Sequence, residues 1–301
     1  MKALLKKGYR VIIVDNLDSV YSPKVKKLRL KMLKHRNLKV IIVDLREEST
    51  MKKLYKLDFS RILHLASRAN PRKSIKDPLA YESINNLAML NILELARKKG
   101  IKHIVFSSSS TVYGNAPLPN RETFSCNEPI SVYAATKKNC EMYAYVYHKL
   151  HGINTTILRF FSVYGEWGRP DSVFFKFMLK MKKKKPVKLF NGGKNIRDFT
   201  HVSDIVKGII KAIEKPFKYE IINLGASKPY SVKQMALMLY RKTGQKPAFI
   251  NTPAAKGDAF CTRASTAKAR RLLGYNPSVK LEDGIREYAA WFNENATKDL
   301  Y

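Results

Sequence analysis

The stretch IKHIVFSSSSTVYG, from Ile101 to Gly114, decides the fold because an apolar run becomes polar within it. Ile101 to Phe106 has the length and composition of a buried strand, and four serines follow at its carboxyl end. In doubly wound parallel sheets, ligands bind at the carboxyl ends of the strands. The stretch therefore predicts an α/β fold with a polar crevice directly after this strand.

A second segment, VYAATKKNCEMYAYVYHKL from Val132 to Leu150, predicts a helix that carries Tyr133 and Lys137 four residues apart. Side chains at that spacing share one face of a helix. A nearby cation lowers a tyrosine pKa from its usual value of about 10, so Tyr133 is a candidate general base. The alternative, a solvated pair on the helix surface, loses weight because the serine-rich strand end comes before it.

The composition describes an ordinary globular chain in all but its charge. It has 301 residues, of which 45% are hydrophobic, enough for a core of one or two domains. No apolar stretch approaches the roughly 20 residues that span a bilayer, and no signal peptide is visible. The isolated cysteines Cys126, Cys140 and Cys261 have no metal-site spacing, so we expect no metal and a cytoplasmic location.

Lysine and arginine number 57 against 24 acidic residues, which gives a net charge of +33. That charge permits nucleic-acid binding, but the basic residues are spread along the chain. No aromatic platform or groove-entering helix accompanies them. We therefore expect a lysine-rich surface without specific nucleic-acid or membrane partners, and a pyrophosphate-containing substrate would suit it.

Further motifs lie along the whole chain, among them VIIVDNL, NILELARKKG, RFFSVYG, RDFTHVSDIV and INLGA. With SSSSTVYG and YAATK, they make the chain resemble the extended short-chain dehydrogenase/reductases, the NAD-dependent nucleotide-sugar epimerases and dehydratases. Within that family, RFFSVYGEWGRPD and PISVYAATKKNCE are most similar to the group that epimerises UDP-glucuronate at C4.

The resemblance implies a Rossmann-type doubly wound parallel sheet with a smaller C-terminal α/β substrate lobe. Residues 1–161 plus about 203–226 are expected to form the NAD-binding domain. Residues from about 162–202 and 227–301 are expected to form the nucleotide-sugar-binding lobe. The resemblance also implies a homodimer that pairs through the helices holding Tyr81 to Lys99 and Tyr133 to Leu150.

The amino-terminal region departs from the family pattern. Asp15 ends a predicted strand where relatives bind the adenosine ribose, yet only 14 residues precede it. The first strand and the Gly-rich loop that holds the pyrophosphate are therefore missing. The chain is either a fragment or begins at a mis-assigned internal start, or it is a shortened protein that has lost cofactor binding. The first alternative is favoured by intact downstream motifs, and a sheet without its central strand is expected to expose unpaired edges.

The resemblance implies a role for each matching residue. Tyr133 takes the proton of the sugar 4-hydroxyl, Ser109 hydrogen-bonds the 4-oxygen, and Lys137 binds the nicotinamide ribose and lowers the tyrosine pKa. The residues expected to contact NAD are Asp15, Asn16, Asp44, Leu45, Leu65, Ala66, Ser67, Asn85, Ser107, Tyr133, Lys137 and Phe161. The residues expected to contact the UDP-sugar are Ser109, Ser110, Thr111, Tyr133, Ser162, Arg169, Phe190, Arg197 and Asp258.

Ser110 and Thr111 stand where relatives that dehydrate or decarboxylate their substrates carry acids. Dehydration needs an acid and a base beside the sugar, so simple 4-epimerisation is favoured. Four alternatives remain open. Two are enzymes, a UDP-glucose 4-epimerase and a UDP-glucuronate decarboxylase. The others are a non-catalytic relative that binds a nucleotide sugar or a partner, and a nucleic-acid binder that only the charge supports.

Two arginines carry open questions about substrate recognition. Arg169 either contacts the sugar carboxylate as a bidentate fork or orders its own loop. Arg197 is expected at the diphosphate, with Phe190 near the uracil and Asp258 at the ribose. An arginine expected beside Asp258 is replaced by Ala255, with Lys256 next to it. We interpret the remaining polar residues His64, Asp198 and Asp204 as structural.

Overall fold

The computed structural model describes residues 1–296, so residues 297–301 of the predicted second lobe lie outside the described residues. The strands are β1 (Val11–Asp15), β2 (Leu38–Ile42), β3 (Ile62–His64), β4 (His103–Ser109), β5 (Asn154–Phe160), β6 (Ser162–Tyr164), β7 (Val187–Phe190), β8 (Ile196–His201), β9 (Tyr219–Leu224), β10 (Pro229–Ser231) and β11 (Phe249–Thr252). The α-helices are α1 (Lys2–Lys6), α2 (Pro23–Lys31), α3 (Glu48–Tyr55), α4 (Pro71–Lys76), α5 (Pro78–Glu82), α6 (Ala88–Lys99), α7 (Val132–His151), α8 (Val173–Lys182), α9 (Val202–Glu214), α10 (Val232–Thr243), α11 (Ala267–Leu273) and α12 (Leu281–Asn295).

The main sheet contains parallel strands in the order β3-β4-β5-β9. Every residue of β4 is buried, because helices cover both faces of a parallel sheet. Ile104 and Phe106 pack in one cluster with α6 and α7, whereas Val105 packs with α9 on the opposite face. This arrangement confirms the predicted α/β, Rossmann-type core.

The strands β1 and β2 form a separate parallel pair. Within residues 1–296, β1 pairs with β2 alone and β3 pairs with β4 alone. Each of these two strands therefore keeps one free edge, as expected for a sheet without its central strand.

The second lobe is built around aromatic side chains from α8 and α12. Phe174 stacks on Tyr164 with ring centroids 4.5 Å apart, and Phe175 meets Phe292 at 5.0 Å. Around this core lie the sheets β10-β8-β6 and β11-β7. The helix α11, which the predicted boundary puts in this lobe, packs instead with β9 and α9 of the first lobe. The division of the chain into two domains otherwise stays a prediction.

The helical segment between α5 and α6 contains one π-helical turn, Ser83–Leu87. Both Asn85 and Asn86 are 2% exposed. Such wider turns often occur at functional sites. No helix in the described range is long and apolar enough to cross a membrane.

Candidate active site

Ser109 and Tyr133 meet where the carboxyl end of β4 faces the first turn of α7. Ser131 fixes that turn because its hydroxyl accepts the amide N–H of Ala134 at 3.2 Å. Tyr133 is 8% exposed, and the side chain of Ser109 acts to lower the pKa of its phenol. The Ser109 hydroxyl oxygen also accepts the Thr111 hydroxyl at 3.0 Å. Two of the three predicted catalytic residues therefore lie at the same end of β4.

Lys137 lies one helical turn after Tyr133, and its ammonium is directed at the strand. Its Nζ donates to the backbone carbonyl of Ser107 at 2.8 Å. Burial lowers the pKa of Lys137 to about 8. Burial raises the pKa of Tyr133, while the Ser109 hydrogen bond and the positive charge of Arg169 oppose that shift. The groups that act to lower the tyrosine pKa are thus Ser109 and Arg169, in place of the expected Lys137.

The structure uses Arg169 to order its loop, which was one of the two alternatives. The Nε and Nη2 atoms of Arg169 each donate to a different oxygen of Asp171 at 2.8 Å. Nη2 also donates to the carbonyl of Ala69 at 3.4 Å. Burial opposes ionisation of Asp171, but the hydrogen bonds from Arg169 lower its pKa below the usual value. Because Ala69 follows β3, the pair fastens the loop after β6 to the loop after β3.

The predicted nucleotide-contacting residues Phe190, Arg197 and Asp258 come together in the second lobe. Arg197 Nη2 donates to Asp258 Oδ1 at 2.5 Å. Arg197 also donates through Nη1 to the backbone carbonyls of Ile196 and Phe260. Its guanidinium is therefore held against the segment that contains Asp258.

The sequence reasoning missed Arg72, which joins this group from α4 in the other lobe. Its guanidinium carbon lies 4.5 Å from the centroid of the Phe190 ring, and its Nη2 lies 3.7 Å from Asp258 Oδ2. Its position directly after Pro71 gave no signal that it would reach so distant a part of the chain. Ala255 stands where an arginine was expected, and the neighbouring Lys256 is exposed. Arg72 supplies a second guanidinium, after that of Arg197, at the Asp258 carboxylate.

The predicted adenosine-side residues lie at the carboxyl ends of β1 and β2. Asn16 donates its side-chain amide to Asp44 Oδ2 at 2.9 Å. Hydrogen bonds from Arg46 hold the pKa of Asp44 well below its usual range. The Asp15 carboxylate accepts the backbone N–H of Leu17 at 2.7 Å through Oδ1. These contacts fix two acids beside one another at the rim of the small sheet.

The remaining predicted cofactor residues occupy three different environments. Leu45, Leu65 and Ala66 line a cavity between β1 and β3, and the half-buried Ser67 follows them. Asn85 accepts the Arg68 N–H at 2.8 Å and donates to Thr136 Oγ1 at 2.9 Å. Phe161 is 3% exposed and packs against Tyr113. Asn85 and Phe161 therefore both make contacts with other residues of the protein.

The predicted sugar-side hydroxyls cluster after β4 and β5. Ser110 is 7% exposed and begins the short turn that carries Thr111. Ser162 is half-buried at the start of β6, just beyond the end of β5. Ser110, Thr111 and Ser162 therefore contribute hydroxyl groups, and no carboxylate, on the side of the site where Ser109 lies.

A buried charged network behind the site also escaped the sequence reasoning. Arg159 and Glu141 form a bidentate ion pair with distances of 2.9 and 2.7 Å, and both are 1% exposed. Ser108 donates its hydroxyl to Glu141 Oε1 at 2.6 Å. The network links β4, β5 and α7, and so fixes the strand and helix that carry the catalytic candidates.

The residues interpreted as structural are confirmed in that role. His64 is 4% exposed, stacks on Phe106, and has its pKa lowered to about 3 by burial. Asp198 accepts backbone N–H groups from Ala226, Ser227 and Ala264. Asp204 accepts two more, from residues 278 and 279. Residues 1–296 contain no cluster of three or more His, Cys, Asp or Glu side chains that could hold a metal.

Comparison with known proteins agrees with this geometry. The profile of the NAD dependent epimerase/dehydratase family matches residues 1–225. A UDP-glucuronate 4-epimerase from Thermodesulfobacterium geofontis is 38% identical over 295 residues, which cover 97% of this chain and 91% of that protein. The crystal structure of a Bacillus cereus UDP-glucuronic acid 4-epimerase with UDP-glucuronic acid and NAD is 30% identical, with a TM-score of 0.92 and coverage of 97% and 94%.

A UDP-glucose 4-epimerase from Thermotoga maritima with UDP-glucose is 29% identical, with a TM-score of 0.89 and coverage of 98% and 94%. Both the sequence profile and the relatives extend over most of the chain. The chain belongs to the NAD dependent epimerase/dehydratase family.

Proposed function

We propose that this protein is an NAD-dependent nucleotide-sugar 4-epimerase that interconverts UDP-glucuronate and UDP-galacturonate. The observation that carries the proposal is the buried Tyr133 phenol beside Ser109 at the end of β4, with Lys137 one helical turn further along α7 and in contact with the same strand. The names and substrates of the similar proteins from Thermodesulfobacterium geofontis and Bacillus cereus support the choice of sugar.

In the proposed reaction, the phenolic oxygen of Tyr133 takes the proton of the sugar 4-hydroxyl and later returns it. Ser109 holds the 4-oxygen by a hydrogen bond and stabilises the ionised phenol. The positive charge of Arg169 acts in the same direction on the pKa of Tyr133. Lys137 is placed to leave the Ser107 carbonyl and bind a ribose hydroxyl. Tyr133 and Lys137 would hold the nicotinamide ribose of NAD, which would supply reversible hydride transfer at C4 and so be regenerated in each cycle.

The residues present fit NAD at its two ends. Asp15 is available for the adenosine ribose because, within residues 1–296, its carboxylate accepts a hydrogen bond at Oδ1 alone. Tyr133 and Lys137 lie at the carboxyl end of β4, where the nicotinamide ribose is expected. Between these ends, the described chain offers no glycine-rich turn leading into a helix for the diphosphate.

Ser110 and Thr111 support epimerisation over decarboxylation, because neither can act as an acid or base at neutral pH. They also place neutral donors, rather than a repelling carboxylate, beside an anionic sugar. The UDP-glucose 4-epimerase alternative gains support from the Thermotoga maritima relative.

The deciding experiment is product analysis. The purified chain is incubated with NAD and either UDP-glucuronate or UDP-glucose, and the nucleotide sugars are separated and identified by mass spectrometry and NMR. The proposal expects UDP-galacturonate from the first substrate. UDP-galactose from the second alone would establish the UDP-glucose alternative, and a UDP-pentose with release of carbon dioxide would establish decarboxylation. Binding of UDP-glucuronate without turnover would establish the non-catalytic alternative.

We also propose that the protein forms a homodimer through α6 and α7. Their outer faces carry exposed apolar side chains: Leu87, just before α6, is 43% exposed, Met142 is 48% and Val146 is 45%. Exposed apolar side chains on the outer faces of these helices suit a contact with another protein. Light scattering of the wild type and of Met142→Glu tests the proposal, which expects a dimer that the charge weakens.

We propose a cytoplasmic location as well. The three cysteines, all within the described residues, are free, and two of them are buried. Free thiols are usual in a reducing compartment. Cell fractionation with an antibody to the native protein tests this proposal, which recovery in an extracytoplasmic fraction would contradict.

A further inference from the structure

The backbone carbonyl of Gly168, in the loop after β6, is held by an arginine of the first lobe. Arg29, on α2, donates from Nη2 to this oxygen at 3.0 Å, although the two residues are 139 positions apart in the chain. The same guanidinium donates from Nη1 to the phenolic oxygen of Tyr21 at 2.8 Å. Arg29 therefore connects an aromatic side chain of the first lobe to the backbone that leads into the second.

Further contacts hold Tyr21 and Arg29 together. The Arg29 guanidinium carbon lies 5.5 Å from the centroid of the Tyr21 ring, and the Lys26 ammonium lies 4.9 Å from it. Cations at such distances over a ring are attracted to its face. Arg29 Nε is buried and has no hydrogen-bond partner among residues 1–296. The guanidinium is therefore bound through its two Nη atoms, and its place depends on Tyr21 and Gly168.

The helix that carries Arg29 is a fixed platform. In the segment before it, side-chain oxygens of Asp15, Asn16 and Asp18 each accept the backbone N–H two residues further on. Contacts of this kind fix the shape of a turn. Within the helix, Val25 is buried at 0% exposure. Arg29 therefore projects from a segment that is ordered where it begins and anchored in its middle.

The loop that Arg29 holds is attached to both lobes through three consecutive residues. Trp167 packs against the aromatic core of the second lobe. Gly168 accepts the hydrogen bond from Arg29, and Arg169 donates to the first-lobe carbonyl of Ala69 at 3.4 Å. Of the two attachments to the first lobe, the one made by Arg29 is the shorter. It therefore fixes the backbone directly beside Arg169.

The same loop lies next to the candidate active site, and α4 connects the two. Lys73 Nζ, on α4, lies 3.6 Å from Asp171 Oδ2 in the loop. The hydroxyl of Ser74, the next residue of α4, accepts the backbone N–H of Tyr133 at 3.0 Å. The charge of Arg169 acts on the phenol of Tyr133 as well. A displacement of the loop would therefore move charged groups relative to the proposed general base.

We propose that Arg29 is a positioning residue for recognition of the sugar: together with Tyr21 it fixes the Gly168 carbonyl, and thereby the loop that carries Arg169, against the sugar end of the site. The inference rests on the proposed nucleotide-sugar function. Without the bond from Arg29, the loop is free to adopt other conformations, and a ligand must then bear the cost of ordering it. That cost applies to the sugar end alone, because the nucleotide-contacting residues of the second lobe do not depend on Gly168.

Hydrogen exchange of the chain without ligand tests the ordering of the loop. The Gly168 N–H donates to the Gly165 carbonyl, and the Ser172 N–H donates to the Arg169 carbonyl. In Arg29→Gln, both amides are expected to exchange at least about tenfold faster, because a charged hydrogen bond that holds the loop is lost. The amides of β4 should exchange as in the wild type. Unchanged exchange at both loop amides would overturn the proposal, whatever the protein binds.

Calorimetry without added NAD compares the binding of UDP-glucuronate with that of UDP. Arg29→Gln is expected to bind UDP-glucuronate about tenfold more weakly and UDP within about twofold of the wild type. Lys27→Gln loses the same charge from an exposed position of the same helix, and should bind both ligands normally. Equal weakening of both ligands by Arg29→Gln would show a general structural effect and overturn the proposal. Failure of the wild type to bind either ligand would instead refute the proposed function.

Two conservative variants separate position from charge. Arg29→Lys keeps the charge but replaces the planar fork by a single amine, which cannot span both acceptors in the same way. Tyr21→Phe keeps the ring and removes the phenolic acceptor. Both are expected to weaken UDP-glucuronate selectively, by less than Arg29→Gln does. Wild-type affinity in Arg29→Lys would show that charge alone is needed and would overturn the proposal. Because Tyr21→Phe leaves Arg29 in place, it tests the proposal even if Arg29→Gln folds poorly.

Discussion

Lys137 reaches across from α7 to donate its ammonium to the Ser107 carbonyl, 2.8 Å away, at 2% exposure. The contact gives the buried cation one strong acceptor and places it at the end of the strand that carries Ser109. The groups that act to lower the pKa of Tyr133 are Ser109 and Arg169.

The first prediction concerns pH and stability. Burial lowers the pKa of Lys137 in the folded chain to about 8, from about 10.4 in an unfolded chain. Between these values the unfolded chain binds more protons, so this residue's contribution to stability rises with pH there. Below about pH 8 the folded state carries the full cost of the buried charge. Lys137→Met is therefore expected to stabilise the chain most below pH 8, with the gain shrinking towards pH 10.

Urea unfolding of both chains at several pH values measures this difference. A gain that is constant across the whole range would contradict the assignment of the lowered pKa to Lys137.

The second prediction concerns the general base. Tyr133→Phe removes the phenolic oxygen and is expected to lower kcat by about 100- to 10,000-fold. The ring stays, so the melting temperature should change little. Tyr55→Phe, which alters a tyrosine that is 50% exposed on α3, is the matched control and should retain activity. Near-normal turnover by Tyr133→Phe would refute the proposed mechanism.

The third prediction separates the two roles of Arg169. If Arg169 acts by ordering its loop through Asp171, then Asp171→Asn should lower kcat/KM nearly as much as Arg169→Gln. Each change is expected to cost about 1–3 kcal/mol of unfolding free energy, because a partly buried partner is left unsatisfied. Arg286→Gln, which breaks an exposed pair with Asp283, is the control. An Asp171→Asn enzyme with normal kinetics would point to direct substrate contact by Arg169.

The fourth prediction concerns Arg72 and the nucleotide. Arg72→Lys keeps the charge near Asp258 but loses the planar group over Phe190. UDP is expected to bind about tenfold more weakly, as measured by calorimetry. Lys256→Ala alters an exposed lysine nearby and should leave the affinity unchanged. The opposite ranking of the two variants would return the nucleotide contact to Lys256.

The fifth prediction concerns the buried pair behind the site. Glu141→Gln leaves the Arg159 charge without its partner and is expected to destabilise the chain by about 3–5 kcal/mol. Replacing both residues by Leu and Met should recover much of that loss. Thermal and urea unfolding of the single and double variants measure it. A double variant as unstable as the single one would show that the pair itself supplies the stability.

The sequence predicted the parts of the site that local rules govern. Tyr133 and Lys137 share a helix face because of their spacing, and Ser109 follows a recognisable buried strand. These features depend on neighbours close in the chain or on a fixed order of strands.

Features that depend on distant side chains could not be predicted in this way. Arg72 meets Asp258 only through the packing of two lobes, and no periodicity marks it. The Lys137 ammonium donates to the Ser107 carbonyl, 30 residues away in the chain, and the helical spacing of Tyr133 and Lys137 did not indicate this acceptor. The sequence left two roles open for Arg169, contact with the sugar carboxylate or ordering of its own loop. It did not show whether Asp171, two residues away, would form an ion pair with the guanidinium.

The π-helical turn Ser83–Leu87 fixes the rotation of the preceding segment about the helix axis relative to α6, and through Asn85 it positions the loop that follows β3. Each residue advances an α-helix by about 100°, so deleting one residue from this turn would rotate the preceding segment by about that angle relative to α6. Asn85 would then lose its hydrogen bonds to the backbone of Arg68. A single-residue deletion far from Tyr133 would in this way displace the loop that Arg169 also holds, through rotation rather than through loss of any catalytic group.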